Sequence, residues 1–183
     1  MADDKNILDE FALKFSKIIE KYTEYIIVSG FVAISSGRTR ATEDIDMIIR
    51  PVNKETFNKI HEDLTKNNFV CIQSKSDEEI YITYLSNFDS VRYIDKNKPL
   101  PEMELKFAKD ELDDYQLKTK TKLELTGLDL WFSNVNVNIA FKEHLLKSQK
   151  DLEDAKHLRI VYKEIVFKDE IKKVKELIDK CRI

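Results

Sequence analysis

The segment Tyr25–Pro51 reads YIIVSGFVAISSGRTRATEDIDMIIRP, and the order of residue types within it decides the fold class. Tyr25–Val28 is a short apolar run of β-prone residues, which is typical of a buried strand. Ser29 and Gly30 then form a turn that opens a short apolar helix, and Gly37 closes that helix. The first half of the segment therefore predicts a strand, a tight turn and a helix.

The second half of the segment is a basic loop followed by an acidic strand. Residues 38–42 (RTRAT) carry two arginines and two threonines, and Asp44 begins a run that becomes fully apolar by residue 47. Side chains alternate along a strand, so Asp44 and Asp46 point to the same face. Ile45 points to the opposite face, into a core.

Two carboxylates on one strand face, close to a small-residue turn, suit metal-assisted phosphoryl chemistry. Magnesium takes hard oxygen ligands and usually only one or two carboxylates, which leaves positions for phosphate and water. The Ser29-Gly30 turn can bring backbone N–H groups to a phosphate, helped by the helix N-terminus behind it. Asp-x-Asp by itself is weak evidence because charged pairs occur on many solvated strands. The turn, the helix, the glycine and the Arg/Thr loop that precede it favour the functional interpretation.

This segment resembles the signature of the nucleotidyltransferase superfamily with the DNA polymerase β-like palm. It is most similar to the minimal and AbiEii-type branch, which includes toxin components of toxin–antitoxin pairs. That branch reads as an apolar strand, Gly-Gly or Gly-Ser, an apolar helix, Gly, Arg, Thr and then Asp-x-Asp. The matching residues are Gly30, Gly37, Arg40, Thr42, Asp44 and Asp46. Ser29 stands where the family usually has its first Gly.

The resemblance implies an α/β (α+β) fold in which helices flank a mixed-sheet palm, with further helices at the C-terminus. We expect residues 1–132 to form the palm domain and residues 133–183 to form a helical segment packed on the same domain. The implied activity is Mg²⁺-dependent (or Mn²⁺-dependent) transfer of a nucleoside monophosphate from a nucleoside triphosphate to an acceptor. The acceptor classes are RNA, such as tRNA, and protein.

A third acidic residue is expected from a later strand beside the Asp-x-Asp strand, because the resembled family supplies one there. The segment 102–109 alternates, with Met103 and Leu105 on one face and Glu104 and Lys106 on the other. Glu104 is our choice for the third acid, and the alternative is an ordinary solvent-facing Glu–Lys pair. The rival candidates are Asp95, Glu124 and Asp129.

The resemblance also assigns roles to the remaining candidate residues. Asp44, Asp46 and Glu104 would be the catalytic and metal-binding acids. Ser29 and Gly30 would contact the β- and γ-phosphates, and Arg38 or Arg40 would neutralise charge on the pyrophosphate. Thr42, Lys106 and Lys142 complete the expected nucleotide-binding set.

A second region, the run NIAFKEHLLKSQKDLEDAKHL over 138–158, resembles the downstream pattern of the family. Lys142, Lys150, Asp151 and Asp154 carry this match. In the family such residues lie beside the nucleotide site or brace the palm. An ordinary solvated helical hairpin is the alternative.

The rest of the chain predicts a coarse order of elements. Apolar periodicity and caps predict helices over 6–22, 53–67, 138–146, 151–162 and 167–181. Residues 69–72 predict a strand and 122–132 a hairpin. Residues 78–85 and 88–93 are each compatible with a strand or a helix, and the proline-containing segment 96–101 predicts a loop.

Composition limits the remaining function classes. The chain has 183 residues, 36% charged residues and a net charge of -3, so no global positive charge argues for nucleic-acid binding. Its two cysteines have no metal or redox spacing. No run is long and apolar enough for a membrane span, and residues 1–8 do not form a signal peptide. We therefore expect the cytoplasm as the compartment. We expect a monomer or homodimer, and the resemblance implies an antitoxin as a candidate partner.

Three functions remain open on the sequence. The first is an active nucleotidyltransferase. The second is a protein of the same fold that binds a nucleotide or a partner without turnover, which Ser29 and the lack of a clear third acid favour. The third is a structural or interaction protein in which Asp44 and Asp46 are only a polar strand face.

Overall fold

The computed structural model describes residues 6–183, and its centre is a five-stranded mixed sheet in the order β1-β2-β5-β4-β3. The parallel pair is β2 with β5, and the other neighbouring pairs are antiparallel. The strands are β1 Tyr25–Val28, β2 Asp44–Ile49, β3 Phe69–Cys71, β4 Val91–Asp95 and β5 Lys98–Phe107. The predicted mixed sheet flanked by helices is confirmed.

Several helices begin after a residue whose side chain caps them. Asn6 and Asp9 form a reciprocal capping box before the first helix, and Asn53 accepts from the N–H of Thr56 before the third. The helices are α1 Ile7–Ile19, α2 Gly30–Ser35, α3 Lys54–Lys66, α4 Asp77–Glu79, α5 Glu111–Lys118, α6 Val135–Ala140, α7 Gln149–Val161 and α8 Lys168–Arg182. A π-helical turn continues α4 over Ile80–Tyr84 and α6 over Phe141–Leu146.

The two faces of the sheet are covered differently. Ile45, Met47 and Ile49 of β2 are fully buried in the large core, which also contains the apolar faces of α1 and α3. On the other face, Ile26 and Ile48 belong to a second, smaller apolar cluster. Only part of this second face is therefore closed by apolar packing, and the rest is left for polar side chains.

The C-terminal part of the chain is joined to the sheet at the outer edge of β1. The N–H of Ile27 donates to the carbonyl of Trp131 (2.8 Å), and the N–H of Ser133 donates to the carbonyl of Ile27 (2.9 Å). Thr121 and Phe132 form an isolated antiparallel bridge. The predicted hairpin over 122–132 is thus reduced to this closing bridge, with a 3₁₀ turn at Glu124–Thr126 inside it.

The predicted loop over 96–101 is wrong. Only residues 96 and 97 form a turn, and Pro99 and Pro101 lie in the first half of β5. β2 pairs with β5 only from Glu102 onward, so the prolines occupy a stretch where an N–H group is not needed on that side. Proline here marks a strand beginning that is unpaired on its β2 side, which has the same sequence signal as a loop.

The two ambiguous segments are resolved by their neighbours. Residues 77–87 are helical throughout, and residues 91–95 form β4, whose pairing with β5 starts at Val91.

Helix α5 was not predicted. Within residues 6–183, no helix is long and apolar enough to cross a membrane.

Candidate active site

The parallel register of β2 and β5 brings the predicted acids together on the second face of the sheet. Asp46 lies opposite Glu104, and Asp44 lies opposite Glu102. Ile45 and Met103, which alternate with these acids, are fully buried, so the carboxylates must point away from the large core. Asp44 is exposed, and the other three acids are partly buried.

The rival third acids lie elsewhere. Asp95 ends β4 and forms a 3.9 Å ion pair with Lys14. Glu124 is in the exposed 3₁₀ turn, and Asp129 pairs with Lys122 at 2.7 Å. The geometry therefore places Glu104, of the four candidates, beside the Asp44–Asp46 pair.

The surroundings of Asp46 disfavour its negative charge. Its pKa is raised to about 6, first by burial and then by the negative charges of Glu104 and Asp44. A hydrogen bond from the Ser29 side chain and the positive charge of Lys106 oppose this rise without cancelling it. The site has more negative charge than its own cations neutralise.

We call the side chains of Asp44, Asp46, Glu102, Glu104, Lys106 and Arg92 on this side of the sheet the acidic face. Two of them, Arg92 and Glu102, were missed in the sequence. Arg92 lies opposite Glu104 in the β4–β5 register, with its Nη2 3.3 Å from the Glu104 carboxylate. Its Nε is 3.6 Å from the Glu102 carboxylate. The buried neighbours Val91 and Tyr93 alternate with Arg92, and this pattern was the available signal.

The turn between β1 and α2 has an unusual backbone. Ser29 has φ 66° and ψ −131°, a conformation that favours glycine. Val28 lies opposite Asp46 in the β1–β2 register, so the turn begins directly beside the acids. Gly37, with φ 93°, ends the helix region as predicted.

The cations expected to contact phosphate are held in an ion network around Asp154. This carboxylate is fully buried and accepts from the Arg40 guanidinium at 3.1 and 2.9 Å. Lys142, only 1% exposed, donates to Asp154 at 3.0 Å and to Asp151 at 3.4 Å. Arg38 Nε lies 3.4 Å from Asp154. For residues 138–158 the alternatives are residues that lie beside the nucleotide site or brace the palm, and an ordinary solvated helical hairpin. The burial of Lys142 and Asp154 agrees with a brace of the palm.

Gly30 is explained by the same network. A Cβ at this position would lie 2.6 Å from Arg40 Nη2, so the guanidinium packs directly on the first turn of α2. Thr42 has a different neighbour, because its hydroxyl donates to the Asp44 carboxylate at 3.0 Å. Residues 38–42 therefore connect the acidic face to α7.

A cavity of about 260 Å³ adjoins Asp46. Its apolar lining is Val28, Ile48, Phe141, Leu145 and Leu146. Its polar lining is Ser29, Asp46, Lys106, Gln116, Asn138, Lys142 and Arg182. Of the expected nucleotide-binding residues, Ser29, Lys106 and Lys142 line this cavity.

The chemistry of the acidic face fits a hard divalent cation, since its donors are carboxylate oxygens with uncompensated negative charge. In the part of the chain from residue 6 onward, however, no three His, Cys, Asp or Glu side chains are arranged as a ready metal-binding group. The backbone register aligns the acids, but two of their carboxylates already have partners. Thr42 donates a hydrogen bond to Asp44, and Arg92 donates one to Glu104.

Comparisons with known proteins identify the fold. Protein-family profiles and curated proteins give no match to the sequence. Among solved structures, one neighbour is an antigenic nucleotidyltransferase-like protein from Paracoccidioides brasiliensis, with TM-score 0.54, 17% identity, and coverage of 94% of this chain and 90% of that chain. Another is the antibiotic-resistance factor ANT(2'')-Ia, with TM-score 0.53, 10% identity, and coverage of 94% and 93%. The chain therefore has a nucleotidyltransferase-like fold.

Proposed function

We propose that this protein is a magnesium-dependent nucleotidyltransferase that moves a nucleoside monophosphate from a nucleoside triphosphate to an acceptor. The observation that carries the proposal is the β2–β5 register, which puts Glu104 beside Asp46 and Asp44 on the open face of a nucleotidyltransferase-like sheet. The raised pKa of Asp46 adds to it, because the fold retains a carboxylate whose charge is not fully compensated.

Asp44, Asp46 and Glu104 would hold one or two Mg²⁺ ions, or Mn²⁺. When bound, the metal supplies charge stabilisation for the attacking and leaving oxygens of the phosphoryl group. Glu104 would also help to deprotonate the acceptor hydroxyl. Thr42 would keep the Asp44 carboxylate oriented through its 3.0 Å hydrogen bond.

The nucleotide would lie between the acids and the cavity. Ser29 and Gly30 would offer backbone N–H groups to the β- and γ-phosphates, and Lys106 would add positive charge at the cavity wall. Arg40 packs on Gly30, so its guanidinium would reach the same phosphates from the other side. Arg38 and Lys142 would act mainly by neutralising Asp154 and its neighbours.

For the acceptor we propose RNA, such as tRNA, or a protein, as in toxins of toxin–antitoxin pairs. Such a toxin would work in the cytoplasm as a monomer or homodimer and would be neutralised by an antitoxin partner. A small DNA-binding protein encoded by the neighbouring gene would support this assignment.

The central test is Asp46→Asn, which keeps the size of the side chain and removes its charge. We expect Mg²⁺-dependent binding of nucleoside triphosphate, measured by calorimetry, to be lost while circular dichroism stays unchanged. Asp129→Asn, on an exposed acid paired with Lys122, is the matched control. Unchanged metal and nucleotide titrations in Asp46→Asn would exclude a metal role for this carboxylate.

Two further variants test the other parts of the site. Mg²⁺ should raise the thermal stability of the wild type by ligand linkage, and raise that of Glu104→Gln less. Arg40→Ala should weaken binding of a triphosphate more than of a monophosphate. Equal losses for both nucleotides would mean that Arg40 only supports the loop.

A second candidate function is a nucleotide- or partner-binding protein without turnover. The strained Ser29 at the phosphate turn and the engagement of Arg40 by Asp154 favour it. Release of pyrophosphate in the presence of an acceptor separates the two functions, since only the enzyme produces it.

A further inference from the structure

The acidic face contains a cation of its own, Arg92, directly beside the proposed third acid. In the antiparallel register Arg92 faces Glu104, and its Nη2 is 3.3 Å from the Glu104 carboxylate. Its Nε is 3.6 Å from the Glu102 carboxylate. The guanidinium therefore lies across two acids on one strand.

The backbone of Arg92 is fixed, whereas its side chain has room to move. Its N–H donates to Gln73 Oε1 at 2.9 Å, and its carbonyl accepts from the N–H of Ile72 at 2.8 Å. The flanking Val91 and Tyr93 are fully buried, which holds Arg92 on the open face. The Arg92 side chain is nevertheless 49% exposed, so a change of rotamer needs no repacking.

A guanidinium and a divalent cation compete for the same oxygens. Magnesium requires oxygen ligands at about 2.0–2.1 Å, and a second positive charge within a few ångströms is repelled. The Glu104 carboxylate cannot bind Arg92 and a metal ion fully at the same time. Glu102 lies two residues before Glu104 on the same face of β5 and is already within reach of Arg92.

We infer that Arg92 is the resident counter-cation of the acidic face and that a divalent cation displaces it from Glu104 toward Glu102. The inference rests on the proposed function, because it presumes a metal at Asp44, Asp46 and Glu104. Loading of the site is then an exchange of one cation for another. Glu102 and Arg92 thereby acquire a role in setting metal affinity that neither has as an ordinary surface pair.

The test is the affinity for Mg²⁺ alone, measured by calorimetry in wild type, Arg92→Gln, Arg92→Lys and Arg50→Gln. Arg50 is a matched control, since its side chain is similarly exposed and is also paired with two carboxylates, Glu24 and Asp114. We expect Arg92→Gln to bind Mg²⁺ about threefold or more tightly than wild type. Arg92→Lys should be intermediate, and Arg50→Gln should match wild type.

A second measurement follows the guanidinium itself. The Nε–H resonance of Arg92 in nuclear magnetic resonance spectra should shift during Mg²⁺ titration of the wild type. The same resonance should stay unchanged in Asp46→Asn, which lacks the metal. A long-range charge effect without displacement would instead give Arg92→Lys the wild-type affinity for Mg²⁺, because lysine keeps the positive charge.

The outcomes separate this inference from the proposed function. If Mg²⁺ binds the wild type but Arg92→Gln binds no more tightly than Arg50→Gln, the exchange is refuted and the metal site stands. If no variant binds Mg²⁺ with or without nucleoside triphosphate, both are refuted. Tighter binding in Arg92→Gln together with intermediate binding in Arg92→Lys supports the exchange.

Discussion

The acidic face and the network around Asp154 are both charge clusters, and they are balanced differently. The network has three carboxylates, Asp151, Glu153 and Asp154, and three cations, Arg38, Arg40 and Lys142. The acidic face has four carboxylates, Asp44, Asp46, Glu102 and Glu104, and two cations, Arg92 and Lys106. The first cluster is neutral within itself, and the second has an excess of negative charge.

The pKa values follow this difference. Burial alone would raise the pKa of Asp154, but hydrogen bonds from Arg40 and Lys142 outweigh it and hold the pKa below its ordinary value. Burial raises the pKa of Asp46, and the neighbouring acids raise it further, to about 6. A buried carboxylate thus has a lowered pKa where the protein provides cationic partners, and a raised pKa where it does not. A cluster that lacks them is the better candidate for binding a cation from solution.

The largest expected effect is the loss of stability in Asp154→Asn. The substitution leaves Lys142 and Arg40 buried without their main charge partner, which should cost about 3 kcal/mol of unfolding free energy. Urea denaturation of wild type and variant measures it, with the exposed Asp129→Asn as a near-neutral control. A loss below about 1 kcal/mol would mean that the network is not a structural brace.

The same variant has a defined pH dependence. Because the folded-state pKa of Asp154 is lowered, its contribution to stability is complete above the unfolded-state value of about 4. The contribution is lost as the pH falls from there toward the folded-state pKa. The stability difference between wild type and Asp154→Asn should therefore shrink below about pH 4.

The opposite sign is expected for Asp46→Asn, which should stabilise the metal-free protein at pH 7. Since a tenfold change in proton affinity corresponds to about 1.4 kcal/mol and Asp46 is partly solvated, we expect a gain of about 1–2 kcal/mol. The folded protein binds the extra proton between about pH 4 and 6, so the gain should vanish near pH 4. Destabilisation at pH 7 would contradict the charge imbalance of the acidic face.

A smaller effect tests how the two clusters are joined through Gly30 and Arg40. Gly30→Ala should cost about 1 kcal/mol, because the new Cβ would displace a guanidinium that is tied to Asp154. In an Arg40→Ala background the same substitution should be neutral or favourable, since alanine is the better helix former. Additive effects in this double-mutant cycle would rule out the contact.

The smallest effect is expected at Ser29. Ser29→Gly should raise the unfolding free energy by about 0.5–1 kcal/mol, since glycine adopts φ 66° and ψ −131° without strain. Ser29→Ala keeps the strain and should not be stabilising, so the pair separates the backbone from the hydroxyl. Thermal melts at neutral pH without metal are sufficient. Equal effects of the two substitutions would show that the backbone is not strained.

The short-range features of this protein could be predicted from its sequence. The strand at Tyr25–Val28, the helix ended by Gly37, and the strand that carries Asp44 and Asp46 on one face all follow from neighbouring residues. So does the alternation that puts Glu104 on the outer face of β5. These features depend on alternation and on φ preference, which a chain expresses locally.

Other features depend on partners distant in the chain, and the sequence alone could not supply them. The β2–β5 register puts Glu104, and not Asp95, Glu124 or Asp129, beside Asp44 and Asp46, and it adds Glu102 to the acidic face. The β4–β5 register adds Arg92. Prolines at the start of β5 resembled a loop, because the sequence does not show which edge of the strand is unpaired. Pairing register is a property of two strands together.

The sequence by itself determined which residues carry charge and on which side of their own strand or helix they lie. Only the tertiary structure decided which charges meet. It placed Arg40 and Lys142 against Asp154, 114 and 12 residues away along the chain, and left Asp46 facing other acids. The physical reason is that electrostatic free energy depends on distance and burial in the folded chain, and neither is encoded by neighbouring residues.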